Sequence, residues 1–248
     1  LKVYLKGSCS VVETTAMNVM VFIRLLYNRA IKDKTVSQEL YPFGNGKFKI
    51  KFPETTKVGL TEKEVKLLEN LDDLSDSERH SLNVWLYSLY FAGMRVSDVL
   101  KTRWSQIYDG RLHYRMGKNS KLVSLKKPLK VDEILNQYIQ HKLNEDDFVF
   151  PEMKKADLTD AKDIHRKIKV ATKKFNDNLK RIALRNGIHK KLTMHIARHT
   201  FGHISEDKIP IKTLQKLYRH SSITTTINYQ SNFIHKDADD ALDSVINF

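Results

Sequence analysis

The chain is short of cysteine, of acidic residues and of long apolar runs, and each shortage excludes something. A single cysteine, Cys9, among 248 residues rules out an internal disulfide framework and any thiolate metal site within the chain. That usage fits a reducing cytoplasm. No stretch approaches the roughly 18 consecutive apolar residues of a spanning helix, so no membrane partner is expected. The opening Leu1-Lys2-Val3-Tyr4 lacks the apolar core of a secretory signal. It also lacks an initiator methionine, and the chain is expected to belong to a longer protein. No internal repeat or low-complexity tract appears. Acids number 29 against 43 lysines and arginines, for a formal charge of +14. An excess of that size favours a polyanionic partner, of which DNA or RNA is the commonest.

What is present is the composition of an ordinary globular protein, 41% hydrophobic and 29% charged, with a length that suits two domains. Residues 13–33 show helical periodicity through Met17, Met20, Val21, Leu25 and Tyr27. Tyr41-Pro42-Phe43-Gly44-Asn45-Gly46 breaks any helix. Lys47 to Phe52 alternates basic and apolar residues, as a short strand or linker would. The segment 53–59 reads as a boundary, leaving 1–52 as a small, basic, mostly helical domain. A larger domain, 60–248, opens at Thr61, whose spacing to Glu64 makes a capping box. The pattern predicts helices over 76–92, from about Ser97 through Trp104, and over 131–143, 162–186, 194–206, 210–218 and 236–247. Between them, 111–127 alternates on both sides of Gly117-Lys118-Asn119-Ser120 and predicts a β-hairpin. The fold class is therefore mainly α with a small antiparallel sheet (α+β).

Four local groups carry phosphate chemistry. Gly93-Met94-Arg95 sets an arginine between two helices, with Asp98 three residues on. Lys118 sits at the hairpin tip. His195-Ile196-Ala197-Arg198-His199-Thr200-Phe201 places His195 and Arg198 at i and i+3, facing the same way on a helix. His220-Ser221-Ser222-Ile223 leads through Thr224, Thr225 and Thr226 to Tyr229, nine residues after the histidine. Taken singly, each has an ordinary structural reading: a solvated arginine, a turn lysine, a satisfied core histidine, a packing tyrosine. Their co-occurrence on a basic chain is what carries meaning. A metal site on His195, His199 and His203 is disfavoured, because ligands at i, i+4 and i+8 span about 12 Å of helix rise and no HExxH pattern supports one.

In this order and spacing the four groups resemble the tyrosine recombinase, or phage integrase, family, most nearly the integrases of phages and conjugative transposons. The resemblance covers roughly 60–248, and 1–52 resembles the family's small core-binding domain in size, charge and position. Two departures stand out. The family usually has Leu-Gly before the last histidine, where this chain has Tyr218-Arg219. The hairpin ends Leu125-Lys126-Lys127-Pro128 where relatives often have Pro-Leu, and beside Lys118, which follows a glycine as in several members, Lys121 lies close enough to be the alternative lysine.

The resemblance implies a site-specific recombinase acting on double-stranded DNA through a covalent 3′-phosphotyrosyl intermediate, with neither metal nor ATP, and no cofactor. Tyr229 would be the nucleophile. Its phenol, with an ordinary pKa of about 10, needs neighbouring guanidinium groups and His195 as proton acceptor. Arg95 and Arg198 offer planar forks of donors to the phosphate oxygens, His220 a further hydrogen bond, and Lys118 a proton for the leaving 5′-hydroxyl. Asp98 buttresses the arginine box. Basic residues between Lys162 and Lys191, among them Lys167, Lys169, Lys173, Lys174, Lys180, Arg181, Arg185, Lys190 and Lys191, suit phosphate contacts. Two domains flanking a linker suggest a clamp around the duplex. Apolar positions beyond Tyr229 (Ala238, Leu242, Val245, Ile246, Phe248) imply a tail that packs on a neighbouring protomer in a tetrameric synapse, in a DNA-associated protein of bacterial or phage origin. The competing functions are a type IB topoisomerase-like relaxing enzyme and a catalytically silent DNA-binding regulator.

Overall fold

Two units, Leu1–Thr56 and Lys57–Phe248, make up the chain. The structure, a computed structural model, describes residues 2–7, 9–53, 58–117, 122–206 and 208–230. Lys118, Lys121 and the predicted helix 236–247 lie outside the described residues, as does the side chain of Tyr229.

The first unit holds α1 (Lys2–Gly7) and α2 (Glu13–Lys32). Its core is small: Ala16, Met17 and Met20 on one face of α2 close over Phe43. Tyr27, Tyr41 and Phe48 meet Phe43 edge to face, with ring centroids 6.4, 5.7 and 6.1 Å away, the geometry their quadrupoles prefer. The alternating run 47–52 forms no strand. Phe48 turns in to a single bridge with Phe43, and Lys47 Nζ donates back to the carbonyls of Tyr41 at 2.6 Å and Glu39 at 3.2 Å. Of the two readings of that run, the linker is the one realised.

In the second unit, α3 (Glu62–Glu69) begins at the capping box. Thr61 Oγ1 accepts from the Glu64 N–H at 3.3 Å, and Glu64 Oε2 accepts from the Thr61 N–H at 2.7 Å. Next comes α4 (Asp76–Tyr90), which is buried on nearly every side from Ser81 to Leu89. Such a helix belongs at the centre of a domain rather than on its surface. Around it pack α5 (Val96–Val99), α6 (Leu129–Asn136), α7 (Ala161–Arg185) and α8 (Ile196–Ile204). Trp85, Tyr87, Phe150 and Phe175 are fully buried in this core. Trp85 Nε1 donates to the Thr193 carbonyl at 3.1 Å, fixing the segment that enters α8. The remaining helices are α9 (Ile211–Tyr218) and α10 (Ile223–Gln230).

The sheet is antiparallel in the order β1 (Ile107–Tyr108), β2 (Arg111–Arg115), β3 (Leu122–Lys126). Its longer register runs from Arg111↔Lys126 to Arg115↔Leu122. Leu112, Tyr114 and Val123 face the core while Arg111, Arg115 and Leu122 face solvent, the period of two that the sequence carries. The expected helix from Ser97 through Trp104 is shorter. It stops at Val99 because the chain turns away to pair with 147–149: Val149 N–H donates to the Thr102 carbonyl at 2.9 Å and Trp104 N–H to that of Asp147 at 3.1 Å. Likewise the helix expected over 131–143 ends at Asn136, followed by a 3₁₀ turn at Ile139–His141.

One buried charge staples α4 to α7. Glu78 Oε2 accepts from the Ser75 N–H and hydroxyl at 3.2 and 3.0 Å and from Arg185 Nη2 at 3.1 Å. Burial alone pushes this carboxyl up, but the Ser75 donors and Arg185 outweigh it and hold it below its ordinary 4.5. A depressed carboxylate contributes stability above its unfolded pKa and loses it as pH falls through the folded one. Glu78→Gln is therefore expected to cost about 1–3 kcal/mol at neutral pH, read as a lower urea midpoint. The difference from the unmodified chain should narrow as pH falls below 4.5 and through the lower pKa of the folded carboxyl. An equal difference at pH 3 and pH 7 would show that the charge is not its source.

Candidate active site

Arg198 is the hub of the site. It lies in the first turn of α8 with only 2% of its surface exposed, so its donors need protein acceptors. Nη1 donates to the Gly93 carbonyl at 3.1 Å, and Nη2 to the Tyr218 carbonyl at 2.9 Å. Nη2 also lies 3.2 Å from His220 Nε2. A guanidinium only donates, so His220 Nε2 is the acceptor, and the ring carries its proton on Nδ1. Nδ1 then donates to Thr226 Oγ1 at 3.0 Å. An unbroken chain of contacts thus joins the end of α4 to α8, the α9–α10 turn and α10, which carries Tyr229 three residues beyond Thr226.

Gly93 is required at its position for two reasons. Its φ is +67°, and a Cβ there would fall 2.4 Å from the Arg198 Cα, against backbone that cannot yield. The turn that follows sets Arg95 at the N-cap of α5. Arg95 Nη1 is buried and finds no hydrogen-bond partner among the described residues.

Asp98, 5% exposed, ties this turn to the hairpin. Its Oδ1 accepts from the Gly117 N–H at 3.0 Å. A Cβ on Gly117 would sit 2.9 Å from that oxygen, so a side chain there would push the Asp98 carboxylate aside. Burial pushes the Asp98 carboxyl up, opposed by the Gly117 N–H and then by the charges of Arg95, Lys101 and Arg198. The Tyr114 phenol is pushed up to about 12, first by burial and then by Asp98, against the pull of Arg198, Arg95 and Arg219. Both groups feel the Arg95 and Arg198 charges at once, so the two arginine boxes converge on one small volume beside the hairpin.

His195 is the N-cap residue of α8, one step outside the helix. It is exposed while Arg198 is buried, and its backbone already has helical angles, φ -71° and ψ -25°. Its ring meets that of His199 edge-on at 5.0 Å. At the end of α9, the Arg219 N–H donates to the Lys216 carbonyl at 3.1 Å and the His220 N–H to that of Gln215 at 3.2 Å, the paired bonds of a Schellman turn. Arg219 occupies its left-handed position, with φ 54° and ψ 37°. A glycine takes that conformation without strain, whereas a side chain costs about 1 kcal/mol. The turn at 218–219 is therefore intact despite the larger residues.

Four of the six expected residues (Arg95, His195, Arg198, His220) are thus placed around α5, α8 and the α9–α10 turn. Tyr229 is placed by its backbone, and the lysine lies outside the described residues. Sequence reasoning passed over Tyr218, Thr226 and the tie from Asp98 to Gly117. For Tyr218 there was a signal, the departure from Leu-Gly.

Between α7 and the segment 188–193 runs a groove of about 950 Å³ whose lining includes Lys169, Lys173, Lys180 and Lys191. No acid pairs with these four among the described residues. By contrast Arg181 and Arg185 serve Glu78, and Lys190 meets Glu64 at 2.7 Å. Among the described residues no helix is long and apolar enough to cross a membrane, and no group of three metal-ligating side chains occurs.

Residues 59–235 match the Phage integrase family, and the chain belongs to that family. It is 33% identical over 184 residues to the tyrosine recombinase XerA of Pyrococcus furiosus, covering 72% of this chain and 59% of that protein. It is 25% identical over 197 residues to XerC of Rickettsia peacockii, covering 75% and 61%. The chain thus spans about three fifths of the length of these curated relatives. In fold it is similar to the XerH site-specific recombinase bound to palindromic difH substrate, with a TM-score of 0.71 at 14% identity, covering 98% of this chain and 70% of that one. It is similar also to the Tn1549 transposon integrase in complex with circular intermediate DNA, with a TM-score of 0.66 at 17% identity over 90% and 77%.

Gly93→Ala is expected to lose about 2–4 kcal/mol from strain and displacement of α8, or roughly 4–16 °C in Tm for a domain of this size. Differential scanning calorimetry measures it. A variant as stable as the parent would mean that the α4–α8 approach is looser than described.

Proposed function

We propose that the chain is the catalytic part of a site-specific DNA recombinase that cleaves and rejoins duplexes through Tyr229. The observation that carries this reading is the Arg198 guanidinium, bonded to Gly93 and to His220, residues 105 and 22 positions away. It gathers three of the four sequence boxes into one unit.

The Tyr229 oxygen attacks the scissile phosphorus, and the bond from phosphorus to the 5′ oxygen breaks. The phenol proton passes to His195. The leaving 5′-hydroxyl takes a proton from Lys118, with Lys121 as the alternative. Arg95 and Arg198 hold the non-bridging oxygens, where charge grows in the transition state. A phosphate entering this cradle competes with His220 Nε2 for Arg198. A change of tautomer, with the Thr226 hydroxyl donating to Nδ1, would let Nε2 donate to the phosphate. Attack by a second 5′-hydroxyl reverses each step. One phosphoester replaces another throughout, so neither ATP nor metal enters the scheme.

The unpaired lysines of the α7 groove supply a surface for the DNA backbone, and the small basic first unit would add a second contact to the duplex. The segment beyond Gln230 would dock on a neighbouring protomer, giving a tetramer on paired sites, with the protein acting on DNA in the cytoplasm.

A nicked duplex whose downstream fragment dissociates traps the intermediate. The chain is expected to give a protein–DNA adduct stable to denaturing electrophoresis, absent with Tyr229→Phe. An adduct that survives Tyr229→Phe, or none on a verified target site, would sink the reading. Arg95→Ala removes a guanidinium with an unpaired buried nitrogen, so its fold should hold. Its rate of adduct formation should drop about 10²–10³-fold, the usual cost of one transition-state donor; a drop below tenfold would remove Arg95 from the phosphate site.

A further inference from the structure

Tyr218 is fully buried at the end of α9, and it grips Arg198 in three ways. Its ring lies flat to the charge, with the guanidinium carbon 3.8 Å from the ring centroid, the shortest cation–ring contact among the described residues. Its carbonyl accepts from Arg198 Nη2 at 2.9 Å. Its hydroxyl donates to the Arg198 carbonyl. Side chain and main chain of each residue thus bind the other, and the Tyr218 ring also packs against those of Phe201 and His220 at 6.2 and 5.2 Å.

An arginine side chain has several rotatable bonds, and two carbonyl acceptors fix only its tip. A desolvated ring face adds attraction along the direction that hydrogen bonds leave open, and so holds the guanidinium plane. Donors already oriented when charge develops need no reorganisation at that moment. We propose that Tyr218 is a positioning residue for Arg198: ring and carbonyl set the guanidinium plane, and the hydroxyl pins the α8 turn that bears it. The proposal rests on the reading of this site as a phosphoryl-transfer centre. It gives the larger residue before His220 a task that leucine cannot perform.

The test uses the full chain on the nicked substrate at saturating DNA, with affinity measured separately. Tyr218→Phe keeps the ring but loses the hydroxyl's bond to the Arg198 carbonyl, and should slow adduct formation about threefold. Tyr218→Leu fills the space without a π face and should slow adduct formation about tenfold, with DNA affinity within about twofold. On a substrate whose scissile phosphate is an uncharged methylphosphonate, Arg198 has less charge to neutralise, and the Leu deficit should shrink below about threefold. A purely structural role would give the same deficit on both substrates, and that result would overturn the proposal. Should Tyr218→Leu fail to fold, Tyr218→Phe with a plain ring is compared with the same variant carrying a trifluorinated ring. Fluorination weakens the ring face at nearly constant shape, and equal rates for the two would overturn the proposal. If the parent forms no adduct, both the proposal and the reading beneath it fall. If the parent cleaves and every Tyr218 variant matches it, only the proposal does.

Discussion

Arg198 carries a charge where water cannot solvate it, and much of the second unit can be understood as the means of holding it there. A buried guanidinium without acceptors would cost several kcal/mol. Here its acceptors come from the turn after α4, the last residue of α9 and the histidine that follows. None is near it in sequence. The fold must therefore be complete before the site exists, and the central placement of α4 under α8 fixes the distance between the two arginine boxes. Asp98 extends the same logic to the sheet, because its bond to Gly117 anchors the hairpin base to α5 while its charge balances the two arginines.

What could be read in the sequence is what local physics decides. The capping box at Thr61 and Glu64 needs only residues three apart, and both its bonds form. The hairpin follows from the period of two in 111–115 and 122–126. The arginine and histidine boxes were legible because their chemistry demands particular residue types, and Gly93 because only glycine tolerates the approach. Tertiary pairing was not legible. The helix starting near Ser97 is cut short by residues some fifty positions on, at 147–149. The helix expected over 194–206 begins at Ile196, one residue after His195. Tyr218 was visible as a departure, but its partnership with Arg198 depends on how α8 and α9 cross.

The pair Tyr218-Arg219 closes α9 in a Schellman turn although neither residue is glycine. A left-handed arginine strains the turn slightly, yet both turn bonds survive and His220 still reaches Arg198. The tyrosine adds a ring and a hydroxyl to an arginine otherwise held by carbonyls and an imidazole. On the proposed reading, a phosphate that reaches Arg198 would displace only the imidazole, with the carbonyls and ring left in place.

That arrival is the central claim, and one measurement addresses it directly: the positions of the Arg95 and Arg198 guanidinium groups relative to the scissile phosphate in a crystal of the Tyr229→Phe chain on its nicked substrate. The account predicts both guanidiniums within hydrogen-bonding distance of the same phosphate's non-bridging oxygens, with His220 turned from Arg198 to that phosphate. A scissile phosphate held elsewhere, with Arg198 still bonded to His220 as it is without DNA, would contradict it.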